Sequence, residues 1–362
     1  SAQLVVDSAG AQDRAQAHKS SDELPPVPSK TEAWHHQAQA FWFAEQLPAA
    51  MLAMDMGTGK SKVAVDLVCH RRCRRVLVLC PKSVVGVWPR EFERHAACPV
   101  RVVAPRKGGV TRRAAAIDDA LEHLRQREEE APAAYPDGPS VVAVVNYEAA
   151  WRGAMAEVIL RTRWDLVVLD ESHRVKAPGG KASMFCAQLR KRSDARLCLT
   201  GTPMPHSPLD VYAQYRFLDP GIFGTSFAAF RNRYAEMGGY QNHEIVALRI
   251  AEKMPGGYPN KYYDPRLAEE FSARMYGIGY RVMADDVLDL PEVLHVYRST
   301  ELEPRARGVY DALEDDLYAE LGVERAPGQS IVDAMREAVD VRGTITAANA
   351  LVKGLRLQQV TS

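Results

Sequence analysis

The sequence predicts an α/β protein built on a doubly wound, mainly parallel sheet, with a mostly helical C-terminal extension. Three observations carry this. Short apolar runs recur as "RVLVLCP" (75–81), "SVVAVVNY" (140–147), "WDLVVLDE" (164–171) and "ARLCLTGTP" (195–203). They are continuous rather than alternating, which is the pattern of strands buried on both faces. Helix-like segments such as "VVGVWPREFERHA" (84–96) and "TRRAAAIDDALEHLRQREEE" (111–130) lie between them, and that alternation is the signature of a parallel sheet covered by helices. Finally, chemically unusual residues fall at the C-terminal ends of the runs, where such sheets bind ligands.

The 362 residues suffice for a large core and suggest more than one domain. Lys+Arg and Asp+Glu both number 46, so the formal net charge is zero and nucleic-acid binding would need a local basic surface. The six cysteines show no CxxC spacing, so they read as buried reduced thiols rather than zinc ligands or disulfides. No apolar run is long enough for a membrane span, and no signal peptide is visible, which points to the cytoplasm, nucleoid or nucleus.

Taken in order, residues 1–29 lack apolar periodicity and read as a loosely ordered leader. The segment "WHHQAQAFWF" follows, and Gln37 in it can pair with adenine through two hydrogen bonds; Gln39 competes for the role. In "MLAMDMGTGKSKVAVDLV" (51–68) a buried strand breaks at Gly57, Thr58 and Gly59, meets Lys60 and Ser61, and becomes a helix. Glycines there let backbone N–H groups approach phosphate oxygens, and the helix N-terminus adds partial positive charge. Lys60 reaches the β- and γ-phosphates and Ser61 can ligate Mg²⁺. Met54 stands where the general pattern has a further glycine.

Asp170 and Glu171 end the next diagnostic strand. Paired carboxylates there are costly without a cation; in a phosphate site the first holds Mg²⁺, usually through water, and the second orients or deprotonates the attacking water. Thr200, Gly201 and Thr202 end a further strand, where hydroxyls can sense the γ-phosphate. His173 is either a coupling residue between these elements or an interior histidine. The stretch 127–139 reads as an exposed loop. Residues 208–290 read as mostly helical and irregular, with a Gly/Pro/Tyr-rich loop at 254–265. Basic clusters at 71–75 and 190–192 read as solvated faces; a third lies at 106–113.

Together, Gln37, "MDMGTGKS", "DESH" and "LTGTP" resemble the ATPase motor of the Swi/Snf family of DNA translocases, in helicase superfamily two. "VLVLCPKSVVGVWPREFERH", "VVNYEAAW", "FLDPGIFG" (217–224) and "YRVMADDVLDLPEV" (280–293) are similar to further motifs of that family; Ala284 departs from its usual polar residue. "LEPRARGVYDAL" and "LVKGLRLQQVTS" resemble the approach to a second lobe. The resemblance implies a RecA-like lobe over 30–298 and a helical linker over 299–362 leading to a second RecA-like lobe. It also implies ATP and Mg²⁺ as ligands, a monomeric state, and sequence-independent contacts to double-stranded DNA through Lys82, Asn146 and Tyr147. A DEAH- or DEAD-type helicase and a non-enzymatic nucleotide-binding module are the alternatives.

Overall fold

A computed structural model describes residues 13–289, apart from 14, 20, 22, 131–139, 239–243 and 255–256, with scattered positions between 303 and 315. Two compact units divide at Leu290, and the first contains all the elements below. The motif-like stretch at 351–362 and most of the expected linker lie outside the described residues, and only scattered positions of 302–313 are described.

The first unit is organised by a seven-stranded parallel sheet. Its strands are β1 (Ala49–Met54), β2 (Arg75–Cys80), β3 (Val100–Val103), β4 (Ser140–Asn146), β5 (Trp164–Asp170), β6 (Ser193–Leu199) and, much later in the chain, β9 (Gly279–Val282). They lie in the spatial order β3-β4-β2-β5-β6-β1-β9. All six residues of β1 and all seven of β4 are buried, as continuous apolar runs require when helices cover both faces. The register sets Cys80 beside Asn146 and Asp170 beside Leu199. Because every pair is parallel, the C-terminal ends share one edge. The order then divides that edge: β1, β6 and β5 bring the glycine loop, the hydroxyl loop and the acidic pair together, while β2 and β4 carry Lys82 and Asn146 to the other side.

The helices include α1 (His35–Glu45), α2 (Lys60–His70), α3 (Trp88–His95), α4 (Val110–Glu130), α5 (Gly153–Arg161), α6 (Lys181–Leu189) and α7 (Val211–Leu218). Helix α4 buries Ala114, Ile117, Ala120, Leu121 and Leu124, an i, i+3, i+4 stripe that faces the sheet. It extends through Glu130, so the beginning of the expected loop at 127–139 is helical.

Several expectations are corrected. Within the mostly helical and irregular 208–290 region there are also strands the sequence did not announce: β7 (Ala235–Gly238) and β8 (Glu244–Leu248) form an antiparallel pair, and β9 joins the main sheet against β1. The leader is partly docked: residues 15–19 are helical, Ala15 is fully buried, and Gln16 donates to the carbonyls of Tyr276 and Gly277. Cys69 and Cys98 form a disulfide with Cα atoms 5.3 Å apart, against the expectation of reduced thiols; Cys73, Cys80, Cys186 and Cys198 are free and buried. Arg71 is not a solvated charge but donates to the carbonyls of Ala44, Glu45 and Leu47, capping the end of α1. Arg75 pairs with Glu128 on α4.

Candidate nucleotide site and basic groove

The glycine loop joins β1 to α2. Gly57 and Gly59 have φ of 82° and 86°, the left-handed region that costs an L side chain free energy. Gly59 has a second reason: a Cβ there would stand 2.3 Å from Gln37 Nε2. That amide nitrogen donates to the Thr58 carbonyl at 3.1 Å, and the His36 ring donates to the same oxygen at 2.9 Å. Gln37 Oε1 accepts from the Trp34 N–H at 3.1 Å. The Gln37 carboxamide therefore braces the loop from α1, with one bond at each end.

Lys60 donates to the carbonyls of Met54 at 2.8 Å and Asp55 at 3.0 Å. Burial lowers its pKa, while the charges of Glu171, Asp170 and Asp55 pull the other way. The lysine thus shares one electrostatic environment with the acidic pair.

Asp170 is 6% exposed. Burial pushes its carboxyl up to about 6, Glu171 adds to the rise, and the Trp88 hydrogen bond and Lys60 oppose it. Trp88, the first residue of α3 and buried, donates its indole N–H to Asp170 Oδ2 at 3.0 Å. Tyr147 donates its hydroxyl to the Asp170 carbonyl at 2.8 Å. Glu171 has φ of 50°, a left-handed conformation costing a non-glycine residue about 1–3 kcal/mol. Such strain persists only where the surroundings impose it, and the bonds to Asp170 and Ser172 on either side do so.

His173 Nδ1 lies 3.1 Å from Thr200 Oγ1 and 3.3 Å from Glu171 Oε2. Burial holds its pKa below the ordinary histidine value. Thr200 Oγ1 also accepts the Thr202 N–H at 3.1 Å. Gly201 brings this loop against the glycine loop, where a Cβ would stand 3.4 Å from Asp55 Cα, in van der Waals contact. Acidic pair, histidine and hydroxyl loop are therefore one connected assembly.

The residues fit a nucleotide triphosphate with Mg²⁺. Gly59 holds a φ of 86° that would strain any L side chain; Lys60 supplies a cation for the phosphates, and a hydroxyl and two carboxylates supply the hard oxygen ligands Mg²⁺ takes.

The other side of the edge is basic. Lys82, Arg106, Lys107, Arg113 and Asn146 line one cleft, and Arg152 and Arg174 extend it. Asn146 accepts from Arg113 at 3.1 Å and donates to Glu148 at 2.8 Å, so it positions this groove. Tyr147 is 3% exposed with its hydroxyl spent on Asp170; it has no surface for a DNA backbone and links the two sides instead. Arg152 and Arg174 escaped the sequence reading because they come from separate elements, whereas Arg113 ends the basic cluster named there. The cluster at 106–113 was the available signal.

The SNF2-related domain model matches residues 34–249, more than half of the chain. Over 202 residues the chain is 28% identical to the TATA-binding protein-associated factor MOT1 of Saccharomyces cerevisiae, covering 51% of this chain and 10% of that protein. It is 27% identical to the mouse (Mus musculus) DNA excision repair protein ERCC-6 over 180 residues, 49% of this chain and 11% of that protein. A putative protein p41 of Acyrthosiphon pisum secondary endosymbiont phage 1 is 26% identical over 56% of this chain and 39% of its own length. In fold, the chain matches the SWI2/SNF2 ATPase core of Sulfolobus solfataricus in complex with dsDNA, at 19% identity and a TM-score of 0.51, covering 93% of this chain and 60% of that one.

Proposed function

The chain belongs to the SNF2-related domain family, and from that premise we propose that it is the ATP-binding lobe of a motor that couples ATP hydrolysis to movement along double-stranded DNA. The observation that carries this is the meeting of three loops on adjacent strands β1, β6 and β5. The loop at 57–61, the pair Asp170–Glu171 and the hydroxyl loop at 200–202 supply a phosphate cradle, carboxylates for metal and water, and a responsive element.

In this reading the backbone N–H groups of Gly57, Thr58 and Gly59 hold phosphate oxygens. Lys60 exchanges its bonds to the Met54 and Asp55 carbonyls for the β- and γ-phosphates. Ser61 and, through water, Asp170 would hold Mg²⁺, which supplies charge neutralisation at the phosphate oxygens. Glu171 orients the attacking water and takes its proton. Trp88 keeps the Asp170 carboxylate aimed. His173 carries the state of Glu171 to Thr200, and Gln37 keeps the cradle in shape.

The basic groove supports backbone contact with DNA through Lys82, Arg106, Lys107, Arg113, Arg152 and Arg174. Such contacts are to phosphates and carry no sequence information. The chain spans about a tenth of the MOT1 and ERCC-6 relatives, and transition-state charge in these sites is completed by groups facing the cradle from elsewhere, worth about 10³–10⁵ in rate. The lobe alone should therefore bind ATP–Mg weakly and turn it over poorly. The test is ATP affinity and hydrolysis with and without duplex DNA.

A further inference from the structure

We propose that Gln214 is a positioning residue that locks the acidic strand end to the hydroxyl loop, so that displacement of one displaces the other. This rests on reading the site as an ATP site. Gln214 lies on α7 and is 0% exposed. Its Oε1 accepts from Ser172 Oγ at 2.7 Å. Its Nε2 donates to the carbonyls of Pro203 at 2.7 Å and Asp210 at 3.1 Å. Ser172 directly follows Glu171 in "DESH", and Pro203 directly follows Thr202 in "LTGTP". One buried side chain thus bonds to both functional loops.

Packing alone does not explain a carboxamide here. An apolar residue of similar volume fills such a space without needing three partners. What the carboxamide adds is direction and distance. On its Ser172 side the chain has just passed through the left-handed backbone of Glu171, a conformation that must be held from outside. Ser172 is itself 0% exposed, so its bond to Gln214 is shielded from water. On the Pro203 side the loop carries Thr200 and Thr202, joined to His173 by the half-buried 3.1 Å contact. The two links between the loops run side by side, one accessible and one buried. A shift at Thr202 can break the first, while the second still transmits it to Glu171.

The bonds of Gln214 go to these two loops and to its own helix, not to the phosphate turn at 57–61. Gln214 should therefore affect the chemical step and not the affinity for nucleotide. A residue that merely fills the core would change stability without splitting the two.

The experiment uses the whole chain with Gln214→Met, which keeps the volume, and the double variant Ser172→Ala/Gln214→Leu, which removes both bonded groups and so leaves no buried hydroxyl unpaired. ATP–Mg affinity is read with a fluorescent ATP analogue, hydrolysis under single-turnover conditions with protein in excess, and loop coupling by hydrogen exchange of peptides covering 171–175 and 200–206. The expected result is affinity within about twofold of wild type and a single-turnover rate lowered by up to about 10²-fold, the cost of a misplaced catalytic geometry. ATP–Mg then protects 200–206 in the variants without protecting 171–175, whereas wild type protects both. Unchanged rate with joint protection in both variants overturns the proposal, as does a parallel loss of affinity and rate. If wild type shows neither binding nor protection, the ATP reading itself fails and takes this proposal with it, a result distinct from variants that match an ATP-binding wild type.

Discussion

The indole N–H of Trp88 donates to Oδ2 of Asp170 across 3.0 Å, joining α3 to the end of β5 inside the protein. The bond opposes the burial that raises the Asp170 carboxyl to about 6. Trp88→Phe keeps an aromatic ring and removes the donor. Hydrogen bonds to charged groups contribute about 1.5–3 kcal/mol, so ATP–Mg affinity should fall by about tenfold or more. Titration calorimetry at pH 7 checks this, and an unchanged affinity would show that the indole is only packing.

Lys60 and Glu171 should separate binding from chemistry. Lys60→Ala removes the cation that would leave the Met54 and Asp55 carbonyls for phosphate, so nucleotide binding should be lost. Glu171→Gln keeps the shape and removes the base, so binding should survive while hydrolysis in the complete motor disappears. Equal binding by the Lys60 variant and wild type would rule out the proposed phosphate role.

The basic groove predicts a salt signature. Each phosphate contact contributes about 0.9 to the slope of log affinity against log salt. Lys82→Ala and Arg113→Ala should each weaken DNA binding irrespective of sequence and lower that slope by about 1. Arg113→Ala also removes the donor to Asn146 Oδ1, so its effect should be the larger. A slope untouched by both would move the DNA to another face.

Asp66 gives a pH prediction. It is 2% exposed and bonded to Lys62 at 2.6 Å. Burial raises its pKa from 3.8 to about 6, against the pull of Lys62. The folded chain therefore takes up a proton between about pH 4 and 6 that the unfolded chain does not hold, and the contribution of Asp66 to stability falls as pH rises through that window. Relative to the non-titrating Asp66→Asn, wild type should gain about 1–3 kcal/mol between pH 7 and pH 4, the upper figure reduced by solvent screening. Chemical denaturation at the two pH values reads the difference, and a gap that moves the other way contradicts the assignment.

What was legible in the sequence was whatever is written locally. The turn at 57–61, the acidic pair after β5 and the hydroxyl loop after β6 each combine a buried run with a chemically distinctive end, and all three were readable. Strand β9 was not, because four residues carry little periodicity and its identity comes from pairing with β1 far earlier in the chain. The 69–98 disulfide bridges a helix end and a loop that no spacing rule connects. Tyr147 looked like a loop residue, yet its hydroxyl is turned inward by the Asp170 carbonyl. Gln37 lies against the glycine loop, and its partners Trp34 and Thr58 could be known only from the fold. Gln214 sits in an apolar helix face, and nothing local marks it as a bridge between two loops.

The most direct measurement is the ATP hydrolysis rate with and without double-stranded DNA, for this chain and for the chain joined to a second lobe. The account predicts weak turnover by the lobe alone and strong, duplex-stimulated turnover when the facing lobe is supplied. Robust DNA-stimulated turnover by the lobe alone, or stimulation of the joined form by RNA or single strands but not by duplex, would contradict it.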